Sequence, residues 1–201
     1  MTTYWKTGLL YLGAIVILIL SIHYFQYDDT GIMSDKDIAS ESWYRICLRM
    51  HIGFGMIAIF LGPVQFIQSF RNKYLKTHRQ LGYVYFGSVV VSSMAGLISA
   101  QYAMGGWISA LGFSILAILW FVSTTMAFMA IANKEIEKHQ KRMYISYGLT
   151  FTAITQRTML LIPMFVNIEF ISIYQLSAWL PWIINIAVAL YFYNRLQLTK
   201  A

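Results

Sequence analysis

Residues 139–157 read HQKRMYISYGLTFTAITQR, and this stretch decides the fold. It is apolar enough to enter a membrane, yet it ends on an arginine. At ~100° per residue, His139, Ser146, Thr150, Ala153 and Arg157 fall within roughly 40° of one line on a helix. That line is about 27 Å long at ~1.5 Å per residue, close to the thickness of the hydrocarbon layer. A charge at that depth costs ~2.5 kcal/mol or more, so Arg157 is expected to face a partner, cavity or cofactor. The alternative is that Arg157 braces a helix end by bonding carbonyls.

The rest of the chain fits a membrane around this stretch. Of 201 residues, 58% are hydrophobic and only 11% charged. A soluble domain carries about 25% charged residues, so an integral membrane protein is expected. The single cysteine, Cys47, excludes an internal disulfide and a thiolate metal cluster. The apolar runs predict an all-α polytopic bundle of six transmembrane helices in one membrane domain, at about 8–25, 51–69, 79–102, 107–132, 142–165 and 173–193. The first run lacks a small-residue cleavage site and reads as a retained anchor. Spans 2–5 carry small and polar stripes and are expected to form an inner four-helix group. Spans 1 and 6 look featureless and are expected to face lipid.

Orientation follows from the lysines and arginines. Lys6, Arg71, Lys73, Lys76, Arg79, Lys134, Lys138, Lys141, Arg142, Arg195 and Lys200 fall on the side of the N-terminus. Only Lys36, Arg45 and Arg49 fall opposite. Both termini are therefore expected in the cytoplasm, and the acidic residues Asp28, Asp29, Asp35, Asp37 and Glu41 lie in the outer loop. Tyr4, Trp5, Trp43, Tyr44, Tyr102, Trp107, Trp179 and Tyr193 sit near span ends, as interface aromatics do. The net charge of +7 is explained by this topology and by anionic lipid, which excludes a nucleic-acid partner.

Two further stripes carry chemistry. His51, Gly55, Ala58, Gly62, Gln65 and Ser69 share one face of the second span, with Pro63 bending it. His78, Gly82, Tyr85, Ser92 and Gly96 share a face of the third. Small residues on a face let helices pack closely, or make room for a flat ligand beside a histidine. An internal echo links the third and fifth spans. His78 is followed by Tyr83, Phe86 and Gly87, and His139 by Tyr144, Tyr147 and Gly148, at the same offsets. The histidines split by depth, with His23 and His51 near the outer surface and His78 and His139 near the inner one. Paired neutral imidazoles in a helical bundle are what haem iron needs. His51, His78, His139 and His23 are the candidate metal ligands. Gly55, Gly62, Gln65, Gly82, Arg142, Ser146, Thr150 and Arg157 are the other candidate cofactor-binding residues, with Arg157, or Arg45 and Arg49, as partners for haem propionates.

There is no phosphate loop, HExxH helix or GxSxG elbow, and paired intramembrane carboxylates are missing. No catalytic residue is assigned. Asn185, the main polar residue inside the sixth span, is expected to join helices.

RMHIGFGMIAIFLGPVQF, then HRQLGYVY after Arg71, then HQKRMYISYGLTFTAITQR before Pro163, resemble a family of predicted bacterial membrane proteins known only as domain of unknown function 2306. Met143 and Tyr144 depart from the Trp-Met pair expected there. The resemblance implies a bacterial inner-membrane location and supports the choice of residues, but it brings no reaction. The layout is also similar to four-helix b-type cytochromes and ferric reductases, an architectural likeness alone. The leading expectation is thus a haem b-binding redox protein moving electrons within or across the membrane, with quinone or another redox protein as partner. The alternative is a non-redox bundle that binds or transports an anionic or lipid-like ligand, or a helper subunit of a membrane complex. A homo-oligomer is compatible with either.

Overall fold

The computed structural model describes residues 2–26 and 37–198, and every regular element among them is helical. The helices are α1 (Thr2–Ser21), α2 (His23–Gln26), α3 (Ser42–Gln65), α4 (Gln68–Lys73), α5 (Leu75–Ala100), α6 (Gly106–Ala132), α7 (Ile136–Met159), α8 (Phe170–Ser177) and α9 (Leu180–Leu198). Short 3-10 turns occupy Asp37–Ser40 and Ile162–Met164. The acidic residues Asp28, Asp29 and Asp35, with Lys36 and Lys200, lie outside the described residues, as do the side chains of Tyr4, Trp5, Lys6 and Asp37.

Four segments are long and apolar enough to cross a membrane: Ser42–Gln65, Leu75–Ala100, Gly106–Ala132 and Phe170–Leu198. The first expected span yields a shorter apolar stretch, Leu10–Gln26. Helix α7 is also absent from the four. Its sequence holds Arg142, Arg157, Gln156 and a row of serines and threonines, which lower its hydropathy.

Prolines set two of the boundaries. A proline ring clashes with the carbonyl four residues before it and offers no N–H to it. Helix α7 stops at Met159, four before Pro163, so the expected run to 165 is shortened. Helix α8 stops at Ser177, four before Pro181, and divides the expected sixth span in two. Pro63 instead lies within the last turn of α3, where Phe66 and Ile67 donate to the carbonyls of Pro63 and Val64.

The chain forms two compact units, Met1–Ser99 and Ala100–Ala201. In the first, α1 packs on α3, and the rings of Tyr11 and Phe60 meet edge to face at 5.3 Å. Two arginines of α3 hold the segments before it. Arg45 donates to the carbonyls of Ala39 and Ser40, each at 2.9 Å, and Arg49 donates to that of Tyr24 at 2.9 Å.

In the second unit, α7 packs against both α6 and α9. This arrangement explains how a polar helix is accommodated. The hydroxyls of Ser146, Thr150, Thr152 and Thr155 are paired by neighbouring helices, so lipid does not have to solvate them. Asn185 of α9 donates to Thr155 Oγ1 at 2.9 Å and to Thr152 Oγ1 at 3.3 Å. Gly148 permits the approach, since a Cβ there would lie 2.9 Å from the Asn185 carbonyl oxygen and 3.1 Å from Ala189 Cβ. The sixth span is therefore not a featureless lipid-facing helix. Its α9 part is fastened to α7, and Asn185 does the joining.

Gly148→Ala forces α7 and α9 apart and should cost about 1–3 kcal/mol, read as a lower Tm in detergent. Gly87→Ala on α5 is the control, because a Cβ there meets open space among the described residues. It should be neutral, or stabilising by up to about 1 kcal/mol. Equal effects of the two would show that the α7–α9 approach is not tight.

Candidate functional site

His51 lies in the third turn of α3, facing α5. Its Nδ1 is 2.8 Å from the carbonyl oxygen of Ser92 and 3.2 Å from Ser92 Oγ. A carbonyl only accepts, so Nδ1 carries the proton. Ser92 Oγ in turn donates to the His51 carbonyl at 2.7 Å. Its one hydrogen is thereby used, and it can only accept from Nδ1. The two residues thus bond reciprocally and fix one ring orientation. In the neutral ring the electron pair then sits on Nε2. Gly96 makes this possible, because a Cβ there would fall 2.6 Å from His51 Nδ1. Gly55 gives a milder clearance on the facing helix, where a Cβ would lie 3.3 Å from Ser92 Oγ.

His139 is held by the same device in the second unit. Its Nδ1 lies 2.9 Å from the carbonyl oxygen of Ala127 on α6, so it too carries the proton on Nδ1. One turn on, Arg142 donates to the carbonyl of Met126 at 2.9 Å. Helix α7 is therefore tied to α6 through two backbone oxygens at its N-terminal end.

Deeper in the unit, Ser146 and Thr150 belong to a closed ring of hydrogen bonds. Ser146 Oγ and Thr124 Oγ1 are 2.6 Å apart, Thr124 donates to the Trp120 carbonyl at 2.7 Å, Trp120 Nε1 donates to Thr150 Oγ1 at 2.9 Å, and Thr150 donates to the Ser146 carbonyl at 2.9 Å. The Thr124 hydrogen goes to Trp120, so the Ser146 hydrogen must go to Thr124. All four residues are buried. Ser146 and Thr150, read as ligand contacts, are engaged in joining α6 to α7. Trp120 and Thr124 were not singled out in the sequence. Their only signal is a Trp and a Thr four apart, in a span whose other polar residues are Ser109, Ser114, Ser123 and Thr125.

The remaining candidates are spread along the helices. His78 is the fourth residue of α5 and His139 the fourth residue of α7, as the internal echo requires. The echo stops at its glycines, since a Cβ at Gly148 meets α9 and one at Gly87 meets open space. His78 Nδ1 is buried. Ser92, level with His51, is 14 residues beyond His78, which is about 21 Å along α5. One small occupant cannot touch both, so the two histidines mark two levels. His139 and Arg157 are likewise about 27 Å apart on α7. Arg157 sits in the last turn of α7 and donates to the Ala153 carbonyl at 3.0 Å. A cation there is favoured by the negative end of the helix dipole. The alternative reading of Arg157, as a brace of the helix end, describes this bond.

A Cβ at Gly82 meets open space among the described residues. Gly62 and Gln65 are buried in the last turns of α3, and Gln65 Nε2 has no hydrogen-bond partner among the described residues. His23 opens α2 and is exposed. Arg45 and Arg49 bond backbone carbonyls, as described above. Among the described residues no group of three or more His, Cys, Asp or Glu is gathered as a metal site. A haem iron needs fewer protein ligands than that.

The model of a family described as predicted membrane protein, DUF2306, matches residues 48–193, and the chain belongs to that family. No curated protein and no solved structure matches the chain.

The tautomers give a direct check. At neutral pH, 15N spectra of histidine-labelled protein should show His51 and His139 protonated on Nδ1, and Ser92→Ala should shift the His51 signals and leave those of His139. An Nε2-protonated His51 would contradict the reciprocal bond.

Proposed function

We propose that this member of the family is a haem b-binding redox protein of the bacterial cytoplasmic membrane. It would cross the membrane six times as a single domain, with both termini in the cytoplasm, and move electrons within or across the bilayer. The observation that supports this reading is the shared state of His51 and His139. Each donates Nδ1–H to a backbone carbonyl of a neighbouring helix. That bond orients the ring, raises the basicity of Nε2 and fixes the tautomer a metal ligand needs. Helix packing alone asks only for a polar contact, whereas here glycine removes side-chain bulk beside the His51 ring.

The roles divide by level. His51 would serve the outer level, with His23 or a quinone on that side. His78, near the start of α5, and His139, near the start of α7, would each serve an inner level within its own unit. The separation of about 21 Å along α5 suits two sites in series across a bilayer of ~30 Å. Bound haem supplies a one-electron centre whose potential is set by its axial ligands and their hydrogen bonds. Arg142, three residues from His139 on α7, is better placed than Arg157 to balance an anionic group bound near His139.

A second reading rests on Gln65. A buried amide N–H without an acceptor is a costly arrangement, and a ligand oxygen would relieve it. In that reading the protein is a colourless bundle that holds an anionic or lipid-like ligand, alone or as the helper of a larger complex.

The visible spectrum decides between them. Protein expressed with haem supplied and purified in mild detergent should show a Soret band and a reduced-minus-oxidised α band. His51→Ala and His139→Ala should each lower the haem content at least twofold at unchanged elution volume, while Gln65→Ala should leave it alone. A colourless, monodisperse protein would overturn the haem reading and leave the second.

A further inference from the structure

The connection from α7 into the first residues of α8 is unusual. It reads LLIPMFVNIEFI over residues 160–171, with Asn167 and Glu169 its only polar side chains. Its large apolar side chains point out of the protein. Phe165 is 83% exposed and Met164 75%, with Val166, Ile168 and Leu161 also exposed. An exposed leucine on a transmembrane helix is ordinary, because lipid covers it. A connecting loop would normally meet water and be polar.

The depth of this segment follows from contacts within its own unit. Gln175 Nε2 donates to the Gly105 carbonyl at 2.8 Å, and Trp179 Nε1 donates to that of Ile108 at 3.1 Å. Gln175 is therefore level with the start of α6, the end of a membrane-crossing segment. Helix α8 continues from Gln175 back to Phe170, about 8 Å further along its axis. The connecting residues thus sit at or just past the end of α6, where the hydrocarbon gives way to headgroups.

Much of the backbone of this segment bonds within the protein. Irregular chain in contact with lipid must satisfy its own polar groups. Leu160 and Leu161 donate to carbonyls of the last turns of α7. Met164, Phe165, Val166 and Ile168 donate to carbonyls within the connection itself. Pro163 has no N–H to satisfy. Neighbouring stretches of the same unit expose apolar side chains as well. Leu111 and Trp107 of α6 and Leu176 and Leu180 of the α8–α9 segment are exposed and belong to membrane-crossing segments.

We propose that residues 160–171 form a lipid-embedded cap, lying in the headgroup and upper acyl region with Met164 and Phe165 directed into the bilayer. The cap anchors the ends of α7 and α8 at one depth. Its partner is the phospholipid surface itself. It stands independently of the haem reading.

The test uses the full chain in phosphatidylcholine nanodiscs, where both faces are open to water. Cys47→Ala gives a background for single cysteines carrying an environment-sensitive fluorophore. Phe165→Cys and Met164→Cys report on the cap, Leu111→Cys on the lipid-facing wall, and Lys138→Cys on the exposed polar side chain of α7. Both cap labels should be quenched by nitroxide lipid to within twofold of the Leu111→Cys label. Their iodide quenching should be at least threefold weaker than that of Lys138→Cys. Iodide access equal to that of Lys138→Cys would overturn the proposal, showing a cap in water. Shielding from both quenchers would also overturn it, showing a protein or a second copy as the cover. Met164→Cys keeps the test open should labelling at 165 unfold the chain.

Discussion

A bilayer supplies no water to a polar group, so each one on a buried helix needs a partner inside the protein. Helix α7 makes this requirement visible. It is too polar to be counted with the membrane-crossing helices by its own composition, yet it lies between α6 and α9. Its hydroxyls do not float in hydrocarbon. Ser146 and Thr150 are paired with α6, and Thr152 and Thr155 with Asn185 of α9. Membrane helices lack a hydrophobic drive to associate, so such bonds and small-residue contacts are what remain. The second unit uses both, and Gly148 brings the backbones close where Asn185 bonds.

The same requirement shapes the histidines. An imidazole has two nitrogens, and each must be satisfied or put to use. On His51 and His139 one nitrogen is given to a backbone oxygen of an adjacent helix. The pairing settles orientation and tautomer before any ligand arrives, which is the preorganisation that a metal ligand or proton carrier needs. Gly96 shows that the space beside His51 is shaped for the ring and not left over from packing.

Much of the fold was legible because bulk composition and periodicity report on it. Low charge, apolar runs and stripes of small residues led to an all-helical membrane protein, and the positions of α3, α5 and α6 followed within a few residues at most ends. Helix ends near proline were misread because the damage falls four residues upstream, at Met159 and Ser177, not at the ring itself. The sixth span was read as featureless because one amide near its middle gives little amphipathic signal. Asn185 nevertheless carries the α7–α9 contact. His51 and Gly55 were singled out from spacing, and the structure sets both against Ser92 of α5. The role of Ser146 and Thr150 was not legible, since a hydroxyl aimed at a ligand and one aimed at the next helix look alike in one dimension. Trp120 and Thr124, the partners that decide it, lie on a span with almost no polar pattern.

The ring that joins α6 to α7 has a further property. Its hydrogens can circulate in one sense only. The indole nitrogen of Trp120 donates and cannot accept, and the carbonyls of Trp120 and Ser146 accept and cannot donate. A Grotthuss relay needs every member to reverse its polarity after a proton passes, and Trp120 and the two carbonyls lack that freedom. These four bonds therefore hold α6 to α7 without forming a proton relay between them.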